Sequence, residues 1–344
     1  MTTEKEDGRI FTIPDNDTTN LWRIVFTFCI VALHEGNTPS YGWKMAVEFF
    51  FICSGMLLAM EKEYKRTPIK KYIIKRVLRL WPHYIFSYCV YMYCWIHVCG
   101  GGSLREIAEE IKYSFLEVFM LQALGVGRWC SNHGAVWYVS VLFVVSVVAY
   151  ILLMKLDRRS MLYICFLGIS LGIASKMLFG DWCIATFQIA NRLTLIPGLI
   201  RGISEISLGI ICFYLGQKIS EKKLLKEYYW IWNAVEIFLM SGVIIYLYFH
   251  LKNEILVTTL IAISTMLAFW CEHPWITGAN RALKCCGKIT YAIYLNHPLF
   301  ILLLGGNGSV KWGILYLIVT LYSVGTYVVI RKISVYGCKI CMRK

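Results

Sequence analysis

The sequence predicts an all-α polytopic integral-membrane bundle of about ten transmembrane helices, with both termini cytoplasmic. Three observations lead there. First, 58% of the 344 residues are hydrophobic and only 16% are charged, against about a quarter charged in soluble domains. A soluble fold of this size has no means of covering so much apolar surface. Second, the apolar residues gather into ten runs, and ten spans of about 20 residues would use roughly 200 positions. What remains is short loops and tails, too little for a separate soluble catalytic domain of typical size. Third, Lys and Arg are distributed unevenly. With ten spans and an inner N-terminus, 25 of the 35 fall in cytoplasmic segments, as the positive-inside rule requires.

In chain order the runs are 21–34, 44–60, 80–99, 135–154, 160–179, 198–216, 229–250, 255–271, 288–304 and 313–330. An eleventh stretch, 113–126, is short and carries Glu117, so it is read as interfacial or re-entrant. Counting it as a span would invert every later loop and spoil the charge asymmetry. With no fixed-period repeat and no Pro-rich linker, residues 21–330 form one membrane domain. It lies between a cytoplasmic N-terminal tail, 1–20, and a basic cytoplasmic C-terminal tail, 331–344. The first twenty residues are polar, so no cleaved leader is expected.

The net charge of +14 would suggest nucleic acid in a soluble protein. Here it is a topology signal, and no nucleic-acid partner is expected. Of the fourteen cysteines, many sit inside apolar runs, where cysteine behaves as a small hydrophobe. The lone Cys338-x-x-Cys341 lacks a second pair or a histidine partner, so no metal site is expected.

Ionisable residues at membrane depth are costly and usually face a cavity or a partner. Arg23 opens the first run and His34 ends it. On a helix they lie about 20° apart on one face and about 16 Å apart along the axis. Glu48 enters the second run at a depth similar to that of His34, and Glu35 follows His34 directly. A histidine with a carboxylate in a dry cavity suits a general base, although a histidine capping a helix at the interface would look the same. Arg76 and Arg79 are i and i+3 on one helical face. They suit a phosphate-bearing ligand, or they serve only orientation and contacts with anionic membrane lipids.

Arg201 and Glu205, i and i+4 in the sixth run, are placed to neutralise each other or to contact substrate. Glu236 shows no evident partner. Tyr291, Tyr294 and His297 share a face of the ninth run, as a polar lining or as a packing network. Trp137, like Trp43, Trp129 and Trp182, stands near the outer face, suited to stacking on sugar rings or to an interfacial belt.

Four stretches carry a resemblance to a known family. They are Arg23-x10-His34; Val47–Leu58 with Glu48, Phe49-Phe50 and Ser54-Gly55; Arg76-x-x-Arg79-Leu80-Trp81-Pro82; and the pair Val136–Val139 with Ile289–Pro298. In this order and spacing the chain resembles the acyltransferase family 3 proteins, integral-membrane O-acyltransferases that modify cell-surface glycans and some small molecules. Thr290 stands where serine is common, and Cys53 where an aliphatic residue is usual.

The resemblance implies transfer of an acyl group, acetyl by default, from cytoplasmic acyl-CoA to a hydroxyl of a glycan or lipid-linked glycan. Acetyl-CoA or another acyl-CoA would be a donor substrate and not a resident cofactor. It implies His34 as base or transient acyl carrier, oriented by Glu48 or Glu35, with Arg23, Arg76 and Arg79 on the donor. Trp137, Tyr291, His297, Arg201 and Glu205 are the substrate-side candidates, and the plasma membrane is the location. Self-association as a homo-oligomer is left open. A transporter or flippase of an envelope precursor would use the same charged pathway, but the paired broken helices of inverted repeats are not evident.

Overall fold

The computed structural model describes residues 3–6, 9–12, 17–34, 41–100, 102–122, 137–179, 187–189, 192–194, 196–222, 224–249, 251, 253–304 and 312–341. The described chain is helical apart from two short antiparallel hairpins. One pairs β1 (Thr3–Glu6) with β2 (Arg9–Thr12), and the other pairs β3 (Phe187–Ile189) with β4 (Arg192–Thr194).

The long helices coincide in order with the apolar runs. They are α1 (Asp17–His34), α2 (Ala46–Met60) and α3 (Ile69–His97), then, after short α4 (Leu104–Tyr113) and α5 (Phe115–Val118), α6 (Trp137–Lys155), α7 (Arg158–Phe179) and α8 (Ile196–Glu221). The one-turn α9 (Leu224–Glu227) precedes α10 (Tyr229–Phe249), α11 (Glu254–Trp270), α12 (Asn280–Leu304) and α13 (Trp312–Cys341). Among the described residues, six helices are long and apolar enough to cross a membrane, and two shorter apolar ones are Thr18–His34 and Glu254–Trp270. The helices α3 and α12 are longer but interrupted by arginine or lysine, histidine, tyrosine and an internal proline, Pro82 and Pro298 respectively.

Several boundaries differ from the hydropathy reading: α12 begins at Asn280 and not at 288, α13 continues past 330 to Cys341, and two further differences bear on the site. The third helix begins at Ile69 and not near 80, because Pro68 sets the backbone just ahead of its first turn and needs no N–H there. The cationic stretch 70–79 is therefore the first three turns of that helix and not a loop. The second helix runs on through one π-helical turn, Glu61–Lys65, which Arg66 closes in the left-handed region at φ 43°. Glu61 fastens this corner by accepting from Thr67 Oγ1 at 2.7 Å and Lys75 Nζ at 3.3 Å.

The centre of the bundle is the α2–α8 pair. A Cβ on Gly55 would come within 2.1 Å of the Ile206 carbonyl oxygen, and one on Gly209 within 2.1 Å of the Ile52 carbonyl oxygen. The Gly of the Ser-Gly segment is thus the small residue that lets two backbones touch, as in other membrane helix pairs. Around this pair, α6 and α11 pack on both helices and α7 on α8; α1 lies on α12, and α12 contacts α3 and α13. A second, smaller cluster of Val31, Tyr91, Ile293, Leu299, Phe300, Leu315 and Val319 joins α1, α3, α12 and α13. By contrast α7, α10 and α13 leave most of their apolar surface uncovered, Tyr163, Phe166, Leu167, Phe238 and Leu321 among it. Such surface is stable only against lipid.

Of the segment 113–126, read as interfacial or re-entrant, residues 113–122 are described: the last residue of α4, the one-turn α5 and the turn after it, set against α3 and α6. Trp81 Nε1 donates to the Val118 carbonyl at 3.0 Å, Gln122 Nε2 to Tyr84 Oη at 3.0 Å, and Ser140 Oγ to the Met120 carbonyl at 2.8 Å. Glu117 is buried within electrostatic range of Tyr88 and Tyr91.

Candidate active site

The inward stripe of α3 runs through Tyr72, Leu80, Tyr84, Ser87, Tyr88 and Tyr91 at helical spacing, all buried. Arg76 falls on that stripe between Tyr72 and Leu80, while Lys70, Lys71 and Lys75 are exposed. This separates two kinds of positive charge in one basic stretch. Lys75 pairs with Glu61 at 3.3 Å, whereas Arg76 turns inward and donates from Nη2 to Ser146 Oγ on α6 at 2.8 Å. Ser146 in turn donates to the Leu142 carbonyl, and Arg76 Nε is buried with no hydrogen-bond partner among the described residues.

Arg79 completes a cationic group. The charges acting on it are those of Arg23 and Arg76, with only the phenols of Tyr291 and Tyr72 opposing. Arg23 makes one long contact, Nη1 to Asn20 Oδ1 at 3.4 Å. Among the described residues none of the three arginines forms an ion pair. Tyr138, Tyr291 and Cys53 lie in the same neighbourhood, and Tyr291 Oη donates to the Leu80 carbonyl at 3.2 Å.

His83 belongs to this face as well. Its ring stacks on Tyr327 at 5.6 Å and meets Tyr291 edge-on at 6.2 Å. The sequence carried the signal for it: positions 76, 79 and 83 are i, i+3 and i+7.

At the other end of α1, the ring of His34 lies 5.2 Å from that of His297 on α12. His297 is fully buried and contacts Tyr294, whose ring meets Tyr138 at 5.6 Å. A column of histidine and tyrosine rings thus connects the His34 end to the arginine end. His34 and Arg79 both keep accessible side-chain surface.

The carboxylates are arranged otherwise than their spacing suggests. Arg201 does not neutralise Glu205. It donates from Nε to Glu48 Oε1 at 2.7 Å and from Nη2 to the Lys44 carbonyl at 3.0 Å, with its guanidinium 5.8 Å from the Trp137 ring centre. Glu205 instead takes Lys176 of α7 at 3.2 Å, and Lys176 also donates to Thr258 Oγ1 at 3.2 Å. Glu48 therefore gives its carboxylate to Arg201, and the ring beside His34 is a histidine. Glu236 has partners after all: Trp22 Nε1 donates to it at 2.7 Å, and His273 Nε2 sits 2.6 Å away. Glu35, Trp129 and Trp182 lie outside the described residues.

A family model described as an acyltransferase domain, that of acyltransferase family 3, matches residues 16–331 of the chain. No curated protein and no solved structure matches it. The match spans every long helix from α1 to most of α13, and so takes in both the arginine group and the histidine pair.

Proposed function

We propose that this chain, which belongs to the acyltransferase domain family, moves an acyl group from acyl-CoA at its arginine end to an acceptor hydroxyl at its histidine end. The observation that carries the reading is the trio Arg23, Arg76 and Arg79. Three guanidiniums within electrostatic range of one another, with no carboxylate paired to them among the described residues, suit a polyanion. The phosphates of a coenzyme A thioester meet that demand through charge-assisted, bidentate contacts. The 16 Å or so between Arg23 and His34 along one helix leaves room for a pantetheine arm to bring the thioester toward the histidine.

At that point His34 removes the acceptor's proton, the hydroxyl oxygen bonds to the thioester carbonyl carbon, and the carbon–sulfur bond breaks. The thiolate leaves and regains the proton. Transfer through an acyl-His34 has the same balance in two steps. Accessible Trp137 beside Arg201 suits a sugar-bearing acceptor, and acetyl is the default acyl group. The charge asymmetry of the loops supports ten spans with both termini cytoplasmic, and a cell-surface acceptor would place the protein in the plasma membrane.

Purified protein given labelled acetyl-CoA and a cell-surface glycan fraction should transfer label, and His34→Ala should lower the rate by about a hundredfold or more. Arg76→Ala/Arg79→Ala should weaken acetyl-CoA binding and flatten its dependence on salt. Unchanged binding in the double variant would return both arginines to an orienting role. A wild type that moves a solute but transfers no acyl group would replace the enzyme reading with a transporter.

A further inference from the structure

Three phenols stand within electrostatic range of the arginine group, and their hydroxyls differ in what they have to bond. Tyr72 and Tyr291 are close to Arg76 and Arg79, and Tyr138 to Arg76 and Arg23. Tyr291 Oη already donates to the Leu80 carbonyl at 3.2 Å. The Tyr72 hydroxyl is closed off from accessible surface. Among the described residues the Tyr138 hydroxyl is neither hydrogen-bonded nor closed off. A buried phenol ordinarily finds a partner for its O–H, and a phenylalanine would fill the same space without needing one.

Packing sets the place of this residue. The ring of Tyr138 lies 4.6 Å from Phe51, 6.2 Å from Phe50 and 6.3 Å from Trp137. It stands at the start of α6, about 12 Å along the helix from Ser146, which accepts from Arg76. Its ring also meets Tyr294 at 5.6 Å, and from Tyr294 the column of rings continues to His297 and His34. Tyr138 is therefore beyond the arginines on the way to His34.

Guanidiniums read phosphate, and phosphate alone does not tell an acyl-CoA from another nucleotide. What distinguishes coenzyme A is its pantetheine arm, which is neutral and carries one hydroxyl and two amides. A donor with its phosphates on Arg23, Arg76 and Arg79 and its thioester at His34 must lead that arm past Tyr138.

We propose that Tyr138 recognises the arm, its O–H donating to the carbonyl oxygen of the amide nearer the phosphates. This bond is neutral and directional, and it discriminates against ligands that lack the acceptor. It also sets the course of the arm toward His34. No covalent bond changes at Tyr138, which is a binding residue for the donor and takes no part in proton transfer. The assignment rests on the proposed function, in which acyl-CoA is the donor.

The test compares ligands that carry the same phosphates, on the full-length protein in detergent. They are acetyl-CoA, coenzyme A and adenosine 3′-phosphate 5′-diphosphate, which is coenzyme A without the arm. Tyr138→Phe removes only the hydroxyl. It should weaken binding of acetyl-CoA and coenzyme A about tenfold and leave the armless compound unchanged, whereas Arg76→Ala should weaken all three. Equal loss of all three in Tyr138→Phe would mean that the phenol acts on the arginines. No loss of any would mean that its hydroxyl meets no ligand. Either result overturns the proposal.

Should Tyr138→Phe fail to fold, a fluorotyrosine placed at position 138 alone keeps both ring and hydroxyl. Its fluorine resonance should move with coenzyme A well beyond any shift that the armless compound causes, and an equal response to the two overturns the proposal. In acetyl transfer Tyr138→Phe should raise KM for acetyl-CoA with little change in kcat. Selective loss of coenzyme A binding in a protein that transfers no acetyl group would sink the proposed function alone. Acetyl transfer at an unchanged KM in Tyr138→Phe would sink the assignment of Tyr138 alone.

Discussion

Among the described residues Arg201 is the largest side chain that is almost completely buried, and its partner is a residue-scale lesson in what spacing leaves open. An Arg and a Glu four apart on one helix can meet, and Arg201 and Glu205 are so placed. Each is instead claimed from another helix, by Glu48 and Lys176, so that the two ion pairs tie α2, α8 and α7 together. Removing one member of a buried pair leaves an uncompensated charge, which costs about 3–5 kcal/mol. Glu48→Ala should therefore lower the melting temperature in detergent sharply. Glu48→Met with Arg201→Met should cost much less than Glu48→Ala. If the double change were as costly as the single one, hydrogen bonding beyond the pair would be what stabilises this site. Charge reversal of Arg201 with Glu48 should restore folding better than reversal of Arg201 with Glu205.

Among the elements, helix ends and helix crossings follow different rules. Asp157 caps the start of α7, accepting from the backbone N–H of Arg159 at 2.9 Å and of Ser160 at 3.3 Å, and from Ser160 Oγ at 2.5 Å. These bonds favour the ionised carboxyl and hold it below the usual aspartate range, the Ser160 hydroxyl most of all. A lowered native pKa contributes stability that is present above the unfolded value and is lost as pH falls through the native one. The melting-temperature gap between wild type and Asp157→Ala should accordingly be open at neutral pH and close in acid. A gap that widened in acid would contradict the capping account.

The α2–α8 crossing depends on absent side chains. Gly55→Ala forces a Cβ against the Ile206 carbonyl, and overpacking of this kind costs about 1–3 kcal/mol or more. Gly242→Ala and Gly313→Ala meet nothing within 4 Å and should leave stability unchanged or slightly raised, by about 0.5–1 kcal/mol. Equal loss in all three, read by thermal melting, would remove the crossing as the cause. The Ser-Gly dipeptide was visible as a motif in the sequence. Its reason was not, because the backbone that Gly55 admits lies about 150 residues further along the chain.

For the whole molecule, the decisive measurement is which side each loop faces. In a cysteine-depleted background, single cysteines at Lys71 and at Lys222 should label only after the membrane is permeabilised, and one at Arg105 should label in intact cells. External labelling of Lys71 would invert the bundle and move the arginine group to the outer face. The same experiment separates the two uses of positive charge: Lys70, Lys71 and Lys75 orient the chain, while Arg76 on the inward stripe of the same helix is withdrawn from that surface.

By itself the sequence determined what short-range physics can specify. It set residence in the bilayer, the helices and their order, the shared face of Arg23 and His34, and the face of Arg76 and Arg79. All of these are consequences of composition, or of contacts within a few residues along one helix. Only the tertiary structure decided that His34 stands against His297, that Arg201 takes Glu48 while Glu205 takes Lys176, and that Glu236 is held by Trp22 and His273. Periodicity places a side chain on a face of its own helix, and it contains no information about which helix that face will meet. That choice is made by packing, by close crossings such as Gly55 on Gly209, and by the high cost of leaving a charge unpaired inside a membrane.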